Sequence, residues 1–184
     1  KNVLVAARPT LFFAVPRVWE KFHNGLLEKI HASGKEKLVH YAIENGLKRV
    51  ACEQLGQKAP LHVRIQDWLF NKIIFSKMKK ALGLEKTEIF GSGAAPLNPE
   101  VQKFFHALHI PITEVYGLTE NSAPALSNYP KNRTGALQNL LSPYHAILPS
   151  TTNKIGCVGL PIPGTEVKIA KDGELLLKGK YLFR

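Results

Sequence analysis

Cysteine is scarce in this chain: Cys52 and Cys157 are the only two in 184 residues. They provide no disulfide framework and no metal-ligand spacing, which fits a reducing compartment. Long apolar runs are lacking as well. The opening KNVLVAARPTLFFAV is interrupted at Arg8-Pro9. It is too short and too broken for a spanning helix, and no cleavage pattern marks a signal peptide. Acidic residues are the third shortage, 14 against 25 lysines and arginines, for a formal charge of +11. Such an excess suits nucleic acid, an anionic membrane surface or anionic small ligands, and equally the solvated faces of basic helices such as KMKK at 77–80. No internal repeat or low-complexity tract is present.

What remains is ordinary globular composition, 45% hydrophobic and 21% charged, enough for one sizeable core. There is no initiator Met, Lys1 opens almost inside an apolar stretch, and Phe183-Arg184 stops in a strand-like segment. The chain is therefore read as an internal fragment of a longer protein.

TLFFAV (10–15), stopped by Pro16, reads as a short buried strand. Phe22, Leu26, Ile30 and then Leu38, Ala42 and Val50 follow at helical steps, broken by Gly34 and by GQKAP at 56–60. A further helical stretch over 61–82 carries Ile65, Leu69 and Ile73 on one face, and Gly83 is its expected C-cap. Trp19 and Trp68, in helical contexts with aliphatic neighbours, are expected in the core or lining a groove.

From Thr87 the pattern is that of an α/β unit. TEIF is a strand, GSGAAPL a turn of small residues, and Asn98-Pro99-Glu100 a helix start with cap, first-turn proline and an acid at the positive dipole end. Val101, Phe104, Phe105 and Leu108 make that helix amphipathic, and IPITEVY (110–116) is the next strand. The two strands should lie parallel, which sets GSGAAP and YGLTE side by side at the carboxyl edge where open α/β sheets bind ligands. Beyond, EVKIAKDGELLLKG reads as a hairpin turning at Asp172-Gly173.

YGLTE (116–120) has groups suited to a nucleotide: a ring to stack, a glycine for close approach, a hydroxyl for phosphate and a hard carboxylate for Mg²⁺. The same pentapeptide also suits a strand end with a capping threonine. GSGAAP is no nucleophile elbow. With Glu114 about twenty residues beyond Gly91 and Gly93 it approaches a dinucleotide fingerprint, although Pro96 stands where a third glycine is wanted. That keeps a nucleotide-cofactor oxidoreductase in play. His106 and His109, three apart on a helix, lack a third metal ligand and are expected at the surface or the core edge. The basic stretch 72–86 lacks the interleaved aromatics of a single-strand binder, so no nucleic acid is expected. A non-catalytic basic module for RNA or anionic membrane is the remaining rival.

GSGAAPL, EVYGLTENSAP, GCVGLPIPGTEVKI and DGELLLKG occur in the order and rough spacing of the adenylate-forming enzymes. The upstream block ARPTLFFAVPRVWEKFH most resembles the long-chain fatty acyl-CoA synthetases of the bubblegum type. The resemblance covers nearly the whole chain except 135–153. It implies a two-step ligation in which a fatty carboxylate and ATP give acyl-adenylate and pyrophosphate, and the thiol of coenzyme A then displaces AMP.

By that resemblance Gly93, Ala94, Ala95 and Pro96 line the adenine side. Glu114, Val115, Tyr116, Gly117, Leu118 and Thr119 complete the ATP/AMP site, with Tyr116 stacked on the base and Thr119 on phosphate. Glu120 binds Mg²⁺, and Thr119 and Glu120 are the catalytic pair. The expected partners are fatty acid, ATP, CoA and, peripherally, an anionic membrane. The expected location is cytoplasmic, on the endoplasmic reticulum surface and not secreted. The family's Ser/Thr/Gly-rich phosphate loop would precede Lys1, and its ribose-binding Asp, hinge and catalytic Lys would follow Arg184, so the chain alone is expected to be inactive. The expected architecture is α/β: a partial adenylate-forming N-terminal domain over 1–134 with an incomplete parallel βαβ sheet, an unplaced insertion at 135–153, and the start of a β subdomain at 154–184.

Overall fold

A computed structural model describes residues 2–128, 154–180 and 182; the stretch 135–153, expected to be an insertion, lies outside them. The elements are α1 (Asn2–Ala7), β1 (Leu11–Ala14), α2 (Pro16–Ala32), α3 (Glu36–Gln54), α4 (Leu61–Phe70), a π-helical turn (Asn71–Phe75), α5 (Ser76–Leu82), β2 (Ile89–Ser92), α6 (Pro99–Ala107), β3 (Ile112–Tyr116), a 3₁₀ turn (Thr119–Asn121), β4 (Leu126–Ser127), β5 (Leu160–Pro161), β6 (Thr165–Ile169) and β7 (Leu175–Gly179). Five strands form one mixed sheet in the order β1-β2-β3-β4-β5, and β6 and β7 pair separately.

β1, β2 and β3 are parallel, as the βαβ reading requires. The sheet then continues with two short antiparallel strands, β4 and β5, so it is parallel only in its first three strands. The local signals took the expected forms. The Asn98 side chain accepts a hydrogen bond from the Glu100 amide at 2.9 Å, capping α6. Gly83 ends α5 at φ +76°, where an added Cβ would fall 2.4 Å from the Leu4 carbonyl carbon. The β6–β7 hairpin turns with Gly173 at φ +91° and the Asp172 carboxylate accepting from the Glu174 amide.

One core joins α2, α3, α5, α6 and the sheet around Trp19, Phe75, Phe105, Leu84, Leu108, Ile110 and Ile112. Val101, Phe104, Phe105 and Leu108 all face into it.

Three expectations are corrected. TLFFAV is not a buried strand: β1 is the sheet's edge, with Leu11 and Phe13 exposed. In α3, Val39 rather than Leu38 turns inward. The Ile65/Leu69/Ile73 face of the third helical stretch points outward, and Trp68 is exposed with it. The reason lies on the opposite face. The Asp67 carboxylate stands 2.9 Å from His109 Nε2 and 3.1 Å from Arg49 Nε, and the Val63 carbonyl accepts from Asn45 Nδ2. Burial pushes the Asp67 carboxyl up, but the His109 hydrogen bond and the Arg49 charge outweigh it and hold the group below its usual range. Turning Asp67 to solvent would break both contacts and leave Arg49 to its second ion pair, with Glu53 at 2.8 Å.

Candidate functional site

The parallel register Gly91↔Thr113 and Ser92↔Glu114 carries β2 and β3 to the same edge, so their following loops lie side by side. On the β2 side the chain passes from buried Gly93 to exposed Ala94, Ala95 and Pro96, then back into the core at Leu97. Ala94 takes φ +70°, which turns the small-residue loop sharply out from the sheet. On the β3 side, Glu114 is buried, Val115, Tyr116 and Gly117 are half-buried, and Leu118, Thr119 and Glu120 are exposed.

The glycines before the loop are required by packing. A Cβ on Gly91 would meet Phe13 Cδ2 at 2.6 Å, and one on Gly93 would meet Val115 Cγ2 at 2.8 Å and Phe13 Cζ at 2.9 Å. Trp19, fully buried, donates from Nε1 to the Gly91 carbonyl at 3.2 Å and fixes the strand end from below. The Glu114 carboxylate accepts from the Leu97 amide at 3.0 Å. Burial raises its pKa above the usual carboxylate value, and the Leu97 hydrogen bond offsets part of that rise. With its carboxylate buried and spent on Leu97, Glu114 does not present itself to a ribose hydroxyl, which weighs against the dinucleotide fingerprint.

The YGLTE loop is closed by a residue that the pattern of the pentapeptide did not single out. Asn121 Oδ1 accepts from the Leu118 and Ala123 amides, both at 3.0 Å, so one buried amide holds both limbs. An Asn two residues after a Thr at a strand end is the signal that would have found it. A Cβ on Gly117 would meet Ala123 Cβ at 2.6 Å, so the glycine serves this closure. Among the described residues, Ser92 Oγ and Asn121 Nδ2 are buried here with no hydrogen-bond partner. The two loops thus present exposed backbone and small side chains on one side and a hydroxyl and a carboxylate on the other.

Among the described residues no group of three or more His, Cys, Asp or Glu could hold a metal ion on protein ligands alone. Mg²⁺ in nucleotide sites takes one or two carboxylates and completes its shell with phosphates and water. A single exposed Glu120 in the first turn after β3 fits that donor set. The two histidines serve the fold. His106, buried, lies 3.1 Å from the Ile112 carbonyl, with its pKa lowered by burial to about 4. His109 pairs with Asp67.

Paired loops at the carboxyl edge of parallel strands are the ligand-binding edge of an open α/β protein. The sequence pattern of a family described as AMP-binding enzyme matches residues 1–184, and the chain belongs to that family, within the adenylate-forming enzymes. It is 33% identical to the long-chain-fatty-acid–CoA ligase ACSBG2 of Homo sapiens over 187 residues, 99% of this chain and 25% of the relative. The Rattus norvegicus ACSBG2 is 39% identical over 66% of the chain and 18% of the relative. The long-chain-fatty-acid–CoA ligase FadD15 of Mycobacterium tuberculosis is 30% identical over 98% of the chain and 26% of the relative. The chain therefore spans about a quarter of the length of such relatives.

Proposed function

We propose that this chain supplies the adenine-, phosphate- and magnesium-contacting loops of a long-chain fatty acid–CoA ligase. The observation that carries the proposal is the Ser92↔Glu114 register, which brings Ala94–Pro96 beside Tyr116–Glu120 at one sheet edge. The family membership and the likeness to long-chain-fatty-acid–CoA ligases support a nucleotide as the ligand of this edge.

In this reading ATP lies across the two loops. Gly93, Ala94, Ala95 and Pro96 let the adenine approach the backbone, and Tyr116 stacks on its face. Glu114 and Val115 form the wall of the strand end, while Gly117 and Leu118 shape the turn. The Thr119 hydroxyl donates to a phosphate oxygen, and the Glu120 carboxylate holds Mg²⁺. The ion, when bound, neutralises charge that develops on the pyrophosphate as the fatty carboxylate attacks the α-phosphate. The chain's own residues fix where the phosphates lie, through the Asn121-locked turn and the Glu114–Leu97 brace.

The partners are the fatty acid, ATP and CoA, with an anionic membrane as the peripheral surface, and the cytoplasmic face of the endoplasmic reticulum is the proposed location. Among the described residues no helix is long and apolar enough to cross a membrane. The phosphate loop and the catalytic Lys of the family lie outside these residues by resemblance, so the chain alone binds nucleotide without adenylating a fatty acid. The test is thermal shift with ATP–Mg²⁺ against NAD, joined to ATP–pyrophosphate exchange. Stabilisation by ATP–Mg²⁺ without exchange is expected. Stabilisation by NAD alone overturns the ligase reading, and robust exchange overturns the claim of inactivity.

A further inference from the structure

α4, the π-helical turn and α5 form one rod whose outward side is apolar. Leu61, Ile65, Trp68, Leu69 and Ile73 are each between 43% and 68% exposed. Their spacing places them on a single face, opposite Val63, Asp67, Ile74 and Phe75, which pack inward. Five adjacent large apolar side chains in water mark a contact surface rather than scattered exposure.

The charges on the rod have one sign. Residues 61–82 contain Arg64, Lys72, Lys77, Lys79 and Lys80 against the single acid Asp67. Asp67 is buried and paired inward, so every exposed charge on the rod is positive. Lys72 Nζ lies 5.5 Å from the Trp68 ring centroid, placing a cation directly over the exposed aromatic. Ile73 also lines a mainly apolar cavity of about 310 Å³ with Leu26, Leu38 and Met78, and the lining lysines are Lys29, Lys35 and Lys77, with no carboxylate.

Resting on the membrane partner proposed above, we infer that this face is the surface that docks on an anionic lipid bilayer. An apolar stripe bearing a tryptophan and flanked only by cations is the composition of a helix lying in the headgroup plane. The aliphatic residues enter the acyl boundary, Trp68 sits at headgroup level, and Arg64, Lys72 and Lys77 meet lipid phosphates and carboxylates. A second copy of the same face is disfavoured because it would bring together two rods whose own exposed charges are all positive. A nucleic acid would leave the apolar stripe unsatisfied. The surface is independent of the nucleotide loops. None of the residues that form the stripe or line the cavity belongs to the nucleotide loops at 93–96 and 114–120.

The test uses the purified chain with large unilamellar vesicles, either of phosphatidylcholine alone or with phosphatidylserine. Trp19 is fully buried and Trp68 exposed, so a blue shift on binding reports Trp68. Co-sedimentation with the anionic vesicles, weakened by salt, is expected together with that shift. Ile65→Asp and, separately, Lys72→Glu are each expected to reduce partitioning about tenfold or more, and circular dichroism melts confirm the fold. Lys72→Glu keeps the test valid should Ile65→Asp perturb the helix. Absence of binding overturns the inference, as does equal binding to both vesicles or binding unchanged in both variants. Self-association in sedimentation velocity that Ile65→Asp abolishes would instead assign the face to a second copy.

Discussion

The Glu114 carboxylate and the Leu97 amide, 17 positions apart in sequence, meet at 3.0 Å and tie the end of β3 to the loop that follows β2. Neither proposed ligand loop is therefore free of the other. The brace is a buried carboxylate with a raised pKa, which makes it measurable. An acid whose folded pKa lies above its unfolded value opposes folding once ionised, so stability falls as pH rises from the unfolded value through the folded one.

Glu114→Gln keeps an acceptor for Leu97 and removes the ionisation. Urea unfolding is expected to show unchanged or slightly higher stability at neutral pH, with the fall above about pH 4.5 removed. Glu114→Ala leaves the Leu97 amide unpaired and is expected to cost about 1–3 kcal/mol. A Gln variant as damaged as the Ala variant would show that charge, not the hydrogen bond, is what the brace uses.

His106 predicts the opposite slope. It is held neutral by burial, with its pKa lowered to about 4, while the unfolded histidine titrates near 6.5. Protons bind the unfolded chain first, so stability is lost as pH falls from 6.5 toward 4, by an amount on the order of 3 kcal/mol. His106→Gln, able to donate to the Ile112 carbonyl, is expected to flatten this acid limb in denaturant titrations at stepped pH.

The three atoms nearest a Cβ built on Gly91 all belong to Phe13, the first at 2.6 Å. Gly91→Ala is expected to destabilise by about 1–3 kcal/mol through overpacking. Phe13 is exposed, so Phe13→Ala alone should cost little, and the double variant should recover most of the loss. A double-mutant cycle in urea measures the coupling, and additive losses would refute the steric account.

Glu120 is exposed and lies in the first turn after β3. Glu120→Gln is expected to leave the melting temperature of the unliganded chain unchanged and to weaken Mg²⁺-dependent ATP binding by about tenfold or more. Calorimetric titration with and without Mg²⁺ separates the two contributions. Unaltered metal dependence would move the ion to another ligand.

Features set by a few neighbouring residues could be read from the chain alone. Asn98 caps α6, Gly83 ends α5, Asp172-Gly173 turns the hairpin, and two strands flanking an amphipathic helix pair in parallel. Each depends on a local φ, a nearby side chain or the handedness of a crossover. The motifs that placed the chain among adenylate-forming enzymes were legible for the same reason, since loops following strands keep their residues together.

Tertiary structure decided the rest, because the deciding partners are distant. Residues 61–75 carry two apolar stripes, and periodicity alone cannot choose between them. Arg49 and His109, reaching Asp67 from α3 and from the turn after α6, turn Val63 inward and leave Ile65, Trp68 and Leu69 in water. Phe13 is apolar by composition yet exposed, because β1 is an edge whose outer face the described residues do not cover. Trp19 reaches the Gly91 carbonyl across 72 positions, and Glu114 is a brace only because parallel pairing sets it beside the GSGAAP loop. Side-chain type sets what a residue can bond. Only the packed chain sets which partner arrives, since a buried charge or donor must be met by whatever the fold brings within reach.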